Sequence, residues 1–404
     1  MMHLKTALIG CMSGTVLMCA QADDEMQDNN VSKYLLQVKN QFVQLLPAGS
    51  YPAQKKSNLL NQWIESSEIR LTTDNDDDRK SSLALNLKIK NWSELSMQQQ
   101  LFQLLEQRQQ LDQQEILNDH LQSSYIQLLE LNSKLEELAQ LKQRSRLFAS
   151  AIKYQQQLVQ SSDFSPDELL DSELGQQQIL LQIELMQRNI DELEKSIEFN
   201  APQPFLQITP QQMIATAENY LQHGGGEVEQ AQLELQLAKL KLKQQQASAG
   251  FALNALQLKS DFSENEDAVL AVRFDIQIPF SGPDFNSRLK HQEINQATMR
   301  LHQRRQQTSL KSNQILAKMY LNKKALVSTE QLINDIESRI KKTTSVKLIL
   351  KLKKQHLSSF KQILEIRYQL RLNYINFLSQ QGLLAKHNEH NWLSAQTLTG
   401  FTDP

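Results

Sequence analysis

The segment Val269-Leu270-Ala271-Val272-Arg273-Phe274-Asp275-Ile276-Gln277-Ile278-Pro279-Phe280 decides how the rest of the chain is read. In an extended chain Leu270, Val272, Phe274, Ile276 and Ile278 fall on one face, and Ala271, Arg273, Asp275 and Gln277 on the other. That is the period-2 pattern of a strand with one apolar and one polar side. The flanking sequence is helical for many tens of residues, and a helical bundle in water has no use for such a strand. A barrel wall does, because side chains facing lipid and lumen alternate there.

Working outward, this strand has partners. Strands are expected at about 251–259 and 269–279, joined by the acidic, polar segment Ser260 to Asp267. In the first half Ile69 and Leu71 alternate with Arg70 and Thr72, and the loop Asp74 to Asp78 intervenes. Leu83, Leu85, Leu87 and Ile89 then alternate with Ala84, Asn86, Lys88 and Lys90. The expected strands there are about 65–73 and 82–90. Strands of about nine residues have the length that crosses a membrane at a tilt. Leu83, Leu85, Leu87, Ile89, Leu270, Val272, Phe274, Ile276 and Ile278 are thus the lipid-facing candidates, and Asn86, Lys88, Lys90, Arg273, Asp275 and Gln277 line the lumen. Mixed charges on that lumen face suit a water-filled passage without strong ion selectivity. A soluble antiparallel sheet with one solvated face gives the same alternation. Trp63 and Trp92 bracket the first hairpin at its base, an aromatic girdle position in a barrel. The alternative for them is two partly buried rings where helices meet a sheet.

The helices are long. From Ser93 to about Gln160 there is neither Pro nor Gly, a run of roughly 68 residues that extends about 100 Å at 1.5 Å per residue. Leu128, Leu131, Leu135 and Leu138 step by three and four along it, a coiled-coil seam. The chain turns at Ser161 to Phe164, and Ser165, Pro166 and Glu168 form an N-cap, a first-turn proline and a capping-box acid for a returning helix. Its seam is Ile179, Ile183, Met186, Ile190, Leu193 and Ile197, until Pro202, Pro204 and Pro210 break it. After Gly224 to Gly226, a helix from Val228 to Gln246 carries Ala231, Leu235, Ala238 and Leu242 on one side. A second long helix is expected from about Phe285 to Lys342 and a last one from Ser345 to Leu384. Helix, strand, polar loop, strand, long helix, turn and returning helix therefore occur twice, which reads as an internal duplication, 23–204 and 205–384, followed by a tail at 385–404.

Composition bounds the class. Lys5, the apolar run Thr6 to Met18 and the small-x-small site Ala20-Gln21-Ala22 read as an export signal over 1–22. Both cysteines, Cys11 and Cys19, lie within it, so the processed chain is expected to lack disulfides and thiolate metal sites. Met18 stands where a lipoprotein signal before Cys19 wants a small residue. After Ala22 no window approaches 18 consecutive apolar residues, so entry into a membrane must use strands. The formal net charge of -2, with basic residues scattered through the heptads, leaves no electrostatic footprint for nucleic acid. Asp74 to Asp78 begins like a calcium loop, but Arg79 stands at the sixth position instead of Gly and Leu85 at the twelfth instead of Glu. His387 and His390 have no carboxylate or cysteine cluster at ligand spacing, and no nucleophile elbow, phosphate loop or zinc-protease motif occurs. No catalytic, metal or cofactor site is expected, and no enzyme.

The pattern resembles the TolC-like outer-membrane efflux proteins over about Val31 to Leu384. The segment Phe274 to Gly282 is similar to the family's alternating strand ending in Ile-Pro and Gly, and Asp163 to Asp171 to its turn between paired coiled-coil helices. The second turn, Lys342 to Leu348, lacks the family's usual glycine. The resemblance implies a mainly α fold with a small β part: a homotrimer whose four strands per chain close a shared twelve-stranded barrel in the outer-membrane lipid, above a periplasmic α-barrel. It implies a passive conduit of a tripartite efflux pump or type I secretion system, working with an inner-membrane transporter and a periplasmic adaptor. The competing expectation is a periplasmic coiled-coil scaffold that forms no channel. The two helical turns differ in charge, with Asp163, Asp167, Glu168 and Asp171 at the first and Lys341, Lys342 and Lys347 at the second, and if the turns meet in a ring, acid-to-base pairs there suit a closable or docking end. Helix-dipole complementation, with acids in a first turn and bases in a last turn, is the alternative and explains the acids well and the lysines in part.

Overall fold

The computed structural model describes residues 31, 33–41, 64–74, 80–89, 92–161, 164–197, 208–221, 225–248, 252–263, 266–277, 285–387 and 390–394. The expected signal at 1–22 lies outside these residues, as do Trp63, Lys90, Asp163 and Ile278. After a helical segment at 33–41, the elements run β1 (Ile64–Asp74), β2 (Lys80–Ile89), α1 (Trp92–Gln157), α2 (Pro166–Ile197), α3 (Pro210–Asn219) and α4 (Gly225–Ser248). Then follow β3 (Ala252–Ser263), β4 (Glu266–Gln277), α5 (Phe285–Lys342), α6 (Val346–Gln380) and the single turn α7 (Leu383–Lys386). The order strand pair, long helix, turn, returning helix occurs twice. Among the described residues no helix is long and apolar enough to cross a membrane.

The chain forms two compact units. One comprises Leu46–Gln113 and Gly226–Thr308 and holds the sheet. All four strands are antiparallel neighbours in the order β1-β2-β3-β4. The second hairpin is longer than its sequence pattern suggested, because β3 and β4 run through most of Ser260 to Asp267, with Asp261 opposite Val269 and Ser263 opposite Glu266. Ladder pairing satisfies backbone groups that a polar loop would leave to solvent, and it outweighs the low strand propensity of Ser and Asp there. In the same unit α4 packs on α5 through Val228, Ala231, Leu235 and Leu301. Arg304 bonds Glu227 at 3.0 Å and Gln230 bonds Asp112 of α1 at 3.5 Å. The burial of α4 is wider than a single seam: Leu233, Leu237 and Leu240, on the side opposite Ala231, are buried too.

The other unit comprises Met1–Leu45, Gln114–Gly225 and Ser309–Pro404. Here the long helices lie side by side in the order α2, α1, α6, α5. The seam of α2 is as expected, with Ile179, Ile190 and Ile197 buried. A glycine sits mid-helix at Gly175, where a Cβ would stand 2.5 Å from Cε1 of Phe148 of α1, so close packing of that ring offsets its poor helix propensity. On α1, Leu128 and Leu131 are fully buried, and so is Leu129 next to them, because α1 has neighbours on two sides. It is tied to α6 by amides: Gln140 Nε2 donates to the Leu357 carbonyl at 2.9 Å, Asn118 Nδ2 to the Ser379 carbonyl at 2.9 Å, and Gln122 Nε2 to Asn376 Oδ1 at 2.9 Å. Arg371 of α6 and Glu136 of α1 form a largely buried pair at 3.6 Å. Its desolvation pushes the guanidinium pKa down, and Glu136 offsets part of that shift. α6 meets α5 through Leu326, Ile333 and Ile363, with Arg367 bonded to Glu330 at 3.3 Å.

Two features of this unit differ from the sequence pattern. Pro210 does not break a helix but starts one. Thr209 caps α3, its Oγ1 accepting from the Gln212 N–H at 3.2 Å while Gln212 Oε1 accepts from the Thr209 N–H at 2.9 Å. A proline at the first helical position is pre-organised for that geometry. The tail is packed as well: Trp392, Leu393 and Ser394 are buried, and the Ile208 N–H donates to the Leu393 carbonyl at 3.3 Å. Gly382, at φ 69°, makes the left-handed turn that ends α6 and sends the chain back onto the helices.

Candidate functional site

The sheet is the first part of the site. Its register sets Ile69, Leu85, Leu258 and Val272 in one row across four strands, and Ser67, Leu87, Leu256 and Phe274 in the next row on the same face. Intervening rows, on the opposite face, are Glu68, Asn86, Gln257 and Arg273, then Ser66, Lys88, Ala255 and Asp275. The structure therefore brings the polar candidates Asn86, Lys88, Arg273 and Asp275 together and separates them from Leu83, Leu85, Leu87, Val272, Phe274 and Ile276. Leu270 lies opposite Ser260 and Gln277 opposite Ala252 in the ladder, and Ile89 opposite Ile64. On the polar face Arg70 bonds Glu68 at 2.8 Å and Arg273 lies 3.6 Å from Asp275. On the apolar face Ile69, Leu71, Leu83, Val272, Phe274 and Ile276 are all exposed, Leu71 by 76%. β1 and β4 are the two edges of the sheet. Trp92 opens α1, and its girdle partner Trp63 lies outside the described residues.

The second part is the helical turn end. Ser165 caps α2, its Oγ accepting from the Glu168 N–H at 3.4 Å. Glu168 does not close the box, because both its oxygens are used elsewhere: Gln155 Nε2 of α1 donates to Oε2 at 2.7 Å and Lys347 Nζ of α6 to Oε1 at 2.6 Å. An ion pair across two helices plus a second hydrogen bond outcompetes a return bond to the cap. Asp167 and Asp171 are exposed on the same turns, and Lys341 and Lys342 are exposed in the last turn of α5. Only Lys347 among the three lysines is bonded to an acid of the first turn in the described contacts. Beside this pair lies an open groove of about 600 Å³ lined by Phe148, Tyr154, Asp171, Lys347, Lys351 and Lys354.

Neither His387 nor His390 belongs to a metal cluster, and among the described residues no group of three His, Cys, Asp or Glu side chains is placed to hold an ion. Both rings instead pack edge-on against Trp392, at 6.1 and 5.1 Å. Tyr125 of α1 donates its hydroxyl to the His390 carbonyl at 3.1 Å and accepts from the Trp392 N–H at 3.3 Å. Full burial raises the Tyr125 pKa, which keeps the phenol a donor.

No protein-family model matches the chain, and no curated protein does. Solved structures do. The structure of CusC, studied for conformational changes accompanying folding and transmembrane channel formation, superposes with a TM-score of 0.53 at 10% identity, covering 89% of each chain. A membrane protein from Pseudomonas aeruginosa gives 0.52 at 9% identity, covering 89% of this chain and 90% of its own. The chain thus has the fold of TolC-like outer-membrane channels, mostly helical with one small four-stranded sheet.

Proposed function

We propose that the chain is an outer membrane factor of the TolC-like family: a passive exit duct in the outer membrane, with its helices extending into the periplasm. The observation that carries this reading is the sheet, whose apolar side chains are exposed along one face while charges and amides fill the other. In water such a face is a liability. In lipid it is the required surface. An open sheet edge in lipid leaves backbone groups unpaired, so four strands need neighbouring copies. Three copies give the twelve-stranded barrel that the resemblance implies, with Asn86, Lys88, Lys90, Arg273, Asp275 and Gln277 toward the water and Trp63 and Trp92 at the headgroups.

On this reading the chain is not an enzyme and needs no cofactor. Energy comes from an inner-membrane transporter of a tripartite efflux pump or type I secretion system, joined through a periplasmic adaptor at the turn end. Asp163, Asp167, Asp171, Lys341, Lys342 and Lys347 are the charges available there for closing or docking. The test is fractionation followed by mass. The protein should stay with the outer membrane after salt and carbonate washing, and light scattering corrected for bound detergent should give three chains. Release by carbonate as a monomer that needs no detergent would sink the conduit and leave a periplasmic scaffold.

A further inference from the structure

Within the unit Met1–Leu45, Gln114–Gly225 and Ser309–Pro404, helices α1, α2 and α6 leave the groove of about 600 Å³ between them at the turn end. α1 supplies its apolar side: Leu147, Phe148, Ala151 and Tyr154 recur at helical spacing, and all are half-buried. The Phe148 ring is fixed from two directions. Gly175 of α2 packs on it so closely that a Cβ would stand 2.5 Å from Cε1, and Lys354 Nζ of α6 lies 5.8 Å from the ring centroid. α6 supplies the positive charge, because Lys347, Lys351 and Lys354 stand at i, i+4 and i+7 on one face of that helix. Lys347 is taken up by Glu168, but among the described residues neither Lys351 nor Lys354 has an ion pair.

Acceptors come from the other two helices. Gln155 of α1 lines the same groove and is 5% exposed. Its Nε2 donates to Glu168 Oε2 at 2.7 Å, while its Oε1 is buried with no hydrogen-bond partner. A buried acceptor left unpaired is a standing cost, which a donor entering the groove removes. Asp171 of α2 also lines the groove and is exposed, and both oxygens of Glu168 are already occupied. The groove is therefore polarised, with cations on the α6 side and acceptors on the α1 and α2 sides.

We infer that this groove binds a small amphipathic anion of the hydroxylated aromatic carboxylate class. The carboxylate sits on Lys351 and Lys354, the ring system against Phe148 and Tyr154, and the hydroxyl donates to Gln155 Oε1. Two lysines without a carboxylate partner call for a negative end on the ligand. The volume falls in the range that encloses a small organic molecule, about 300–1,000 Å³, and an apolar wall with a few convergent polar groups is the usual lining of such a site. The donor end is a hydroxyl and not an ammonium, because Gln155 Oε1 is shielded from water and a charge brought to it would be desolvated beside a neutral amide. The site is built within one chain, so it stands or falls independently of the multi-copy conduit proposed above.

The test uses the full chain in lipid nanodiscs, which avoids detergent in the groove, with 6-hydroxy-2-naphthoate as the probe and empty nanodiscs as the blank. Calorimetry should show saturable binding, and the bound probe should protect Lys351 and Lys354 from acetylation, read by mass spectrometry, while Lys241 of α4 stays as reactive as before. Removing the charge, as 2-naphthol, or the two lysines, as K351Q/K354Q, should weaken binding by about tenfold or more. Removing the hydroxyl, as 2-naphthoate, should weaken it about fivefold, and Q155L should bind 2-naphthoate and 6-hydroxy-2-naphthoate alike. Each variant is first matched to the parent in melting midpoint, and K351Q and K354Q serve singly if the pair unfolds. Equal affinity for 2-naphthol, full binding by K351Q/K354Q, or protection of the two lysines by inorganic sulfate at the same concentration would overturn the site. So would protection by a periplasmic protein where the probe gives none, which would make the groove a protein-docking surface.

Discussion

Lys347 Nζ lies 2.6 Å from Glu168 Oε1, joining the first turn of α6 to the first turn of α2 across 179 residues of sequence. The lysine is 66% exposed, so the pair adds little to stability, about 0.2–1 kcal/mol. On the proposed conduit its place at the end of the helices matters more, because it ties the first turn of α6 to the first turn of α2. Glu168→Gln and Lys347→Gln should leave the melting midpoint within a few degrees and raise single-channel conductance of the purified protein in planar bilayers several-fold. The swap E168K/K347E should return conductance toward that of the parent. Unchanged conductance in both single variants would remove this pair from any closing role.

Arg371 and Glu136 behave differently because they are buried, with side chains 11% and 15% exposed. Arg371→Ala leaves a carboxylate in a desolvated site, which costs about 3–5 kcal/mol. Replacing both, as R371M/E136Q, removes the stranded charge and should recover most of that loss. Thermal unfolding of the detergent-solubilised protein checks the ordering: parent and double variant close together, the single variant well below.

Tyr125 holds the returning tail by serving one donor and one acceptor of the backbone at His390 and Trp392. Tyr125→Phe leaves both without their partner, at about 1–3 kcal/mol. Trp392→Ala removes the ring on which His387, His390 and Tyr220 pack, and should cost about 3–5 kcal/mol. Protease sensitivity C-terminal to Lys386 should rise in both variants. Equal protease resistance to the parent would mean the tail is held from elsewhere.

The long helices, the seams and the amphipathic strands were legible because each is a repeat, and repetition survives single exceptions such as Gly175. What was not legible is local competition. Glu168 three residues after Ser165 fits a capping box, but the stronger offer comes from Lys347, which sequence distance hides. Pro210 followed other prolines and read as punctuation. Only Thr209 before it and Gln212 after it, the capping-box spacing, signalled that a helix begins there. The tail gave no period at all, since its order comes from one tryptophan and one tyrosine 267 residues apart.

The tail also predicts a pH response. Burial, with a smaller effect from Lys386, holds the His387 imidazole below its usual pKa of about 6.5. As pH falls the unfolded chain takes up the proton before the folded one does. The contribution of neutral His387 is therefore full above pH 6.5 and is lost as pH falls through the folded value. The melting midpoint should drop between pH 7.5 and 5.5, and His387→Gln should drop less over that range. Parallel curves for the two proteins would show that His387 does not set the slope.

The sheet allows the sharpest comparison, because neighbouring residues of one strand face opposite ways. Leu85 lies in the row with Ile69, Leu258 and Val272, and Asn86 in the row with Glu68, Gln257 and Arg273. If the apolar rows meet lipid, Leu85→Arg and Val272→Arg place a charge in hydrocarbon at about 2–4 kcal/mol each near the midplane. Asn86→Arg adds the same side chain on the polar face, where water solvates it. Outer-membrane yield after carbonate washing should fall steeply for L85R and V272R and hold for N86R, while N86R should shift the cation-to-anion permeability ratio toward anions. Equal yields for all three would mean that the apolar face meets protein or water instead. A loss confined to N86R would reverse the two faces.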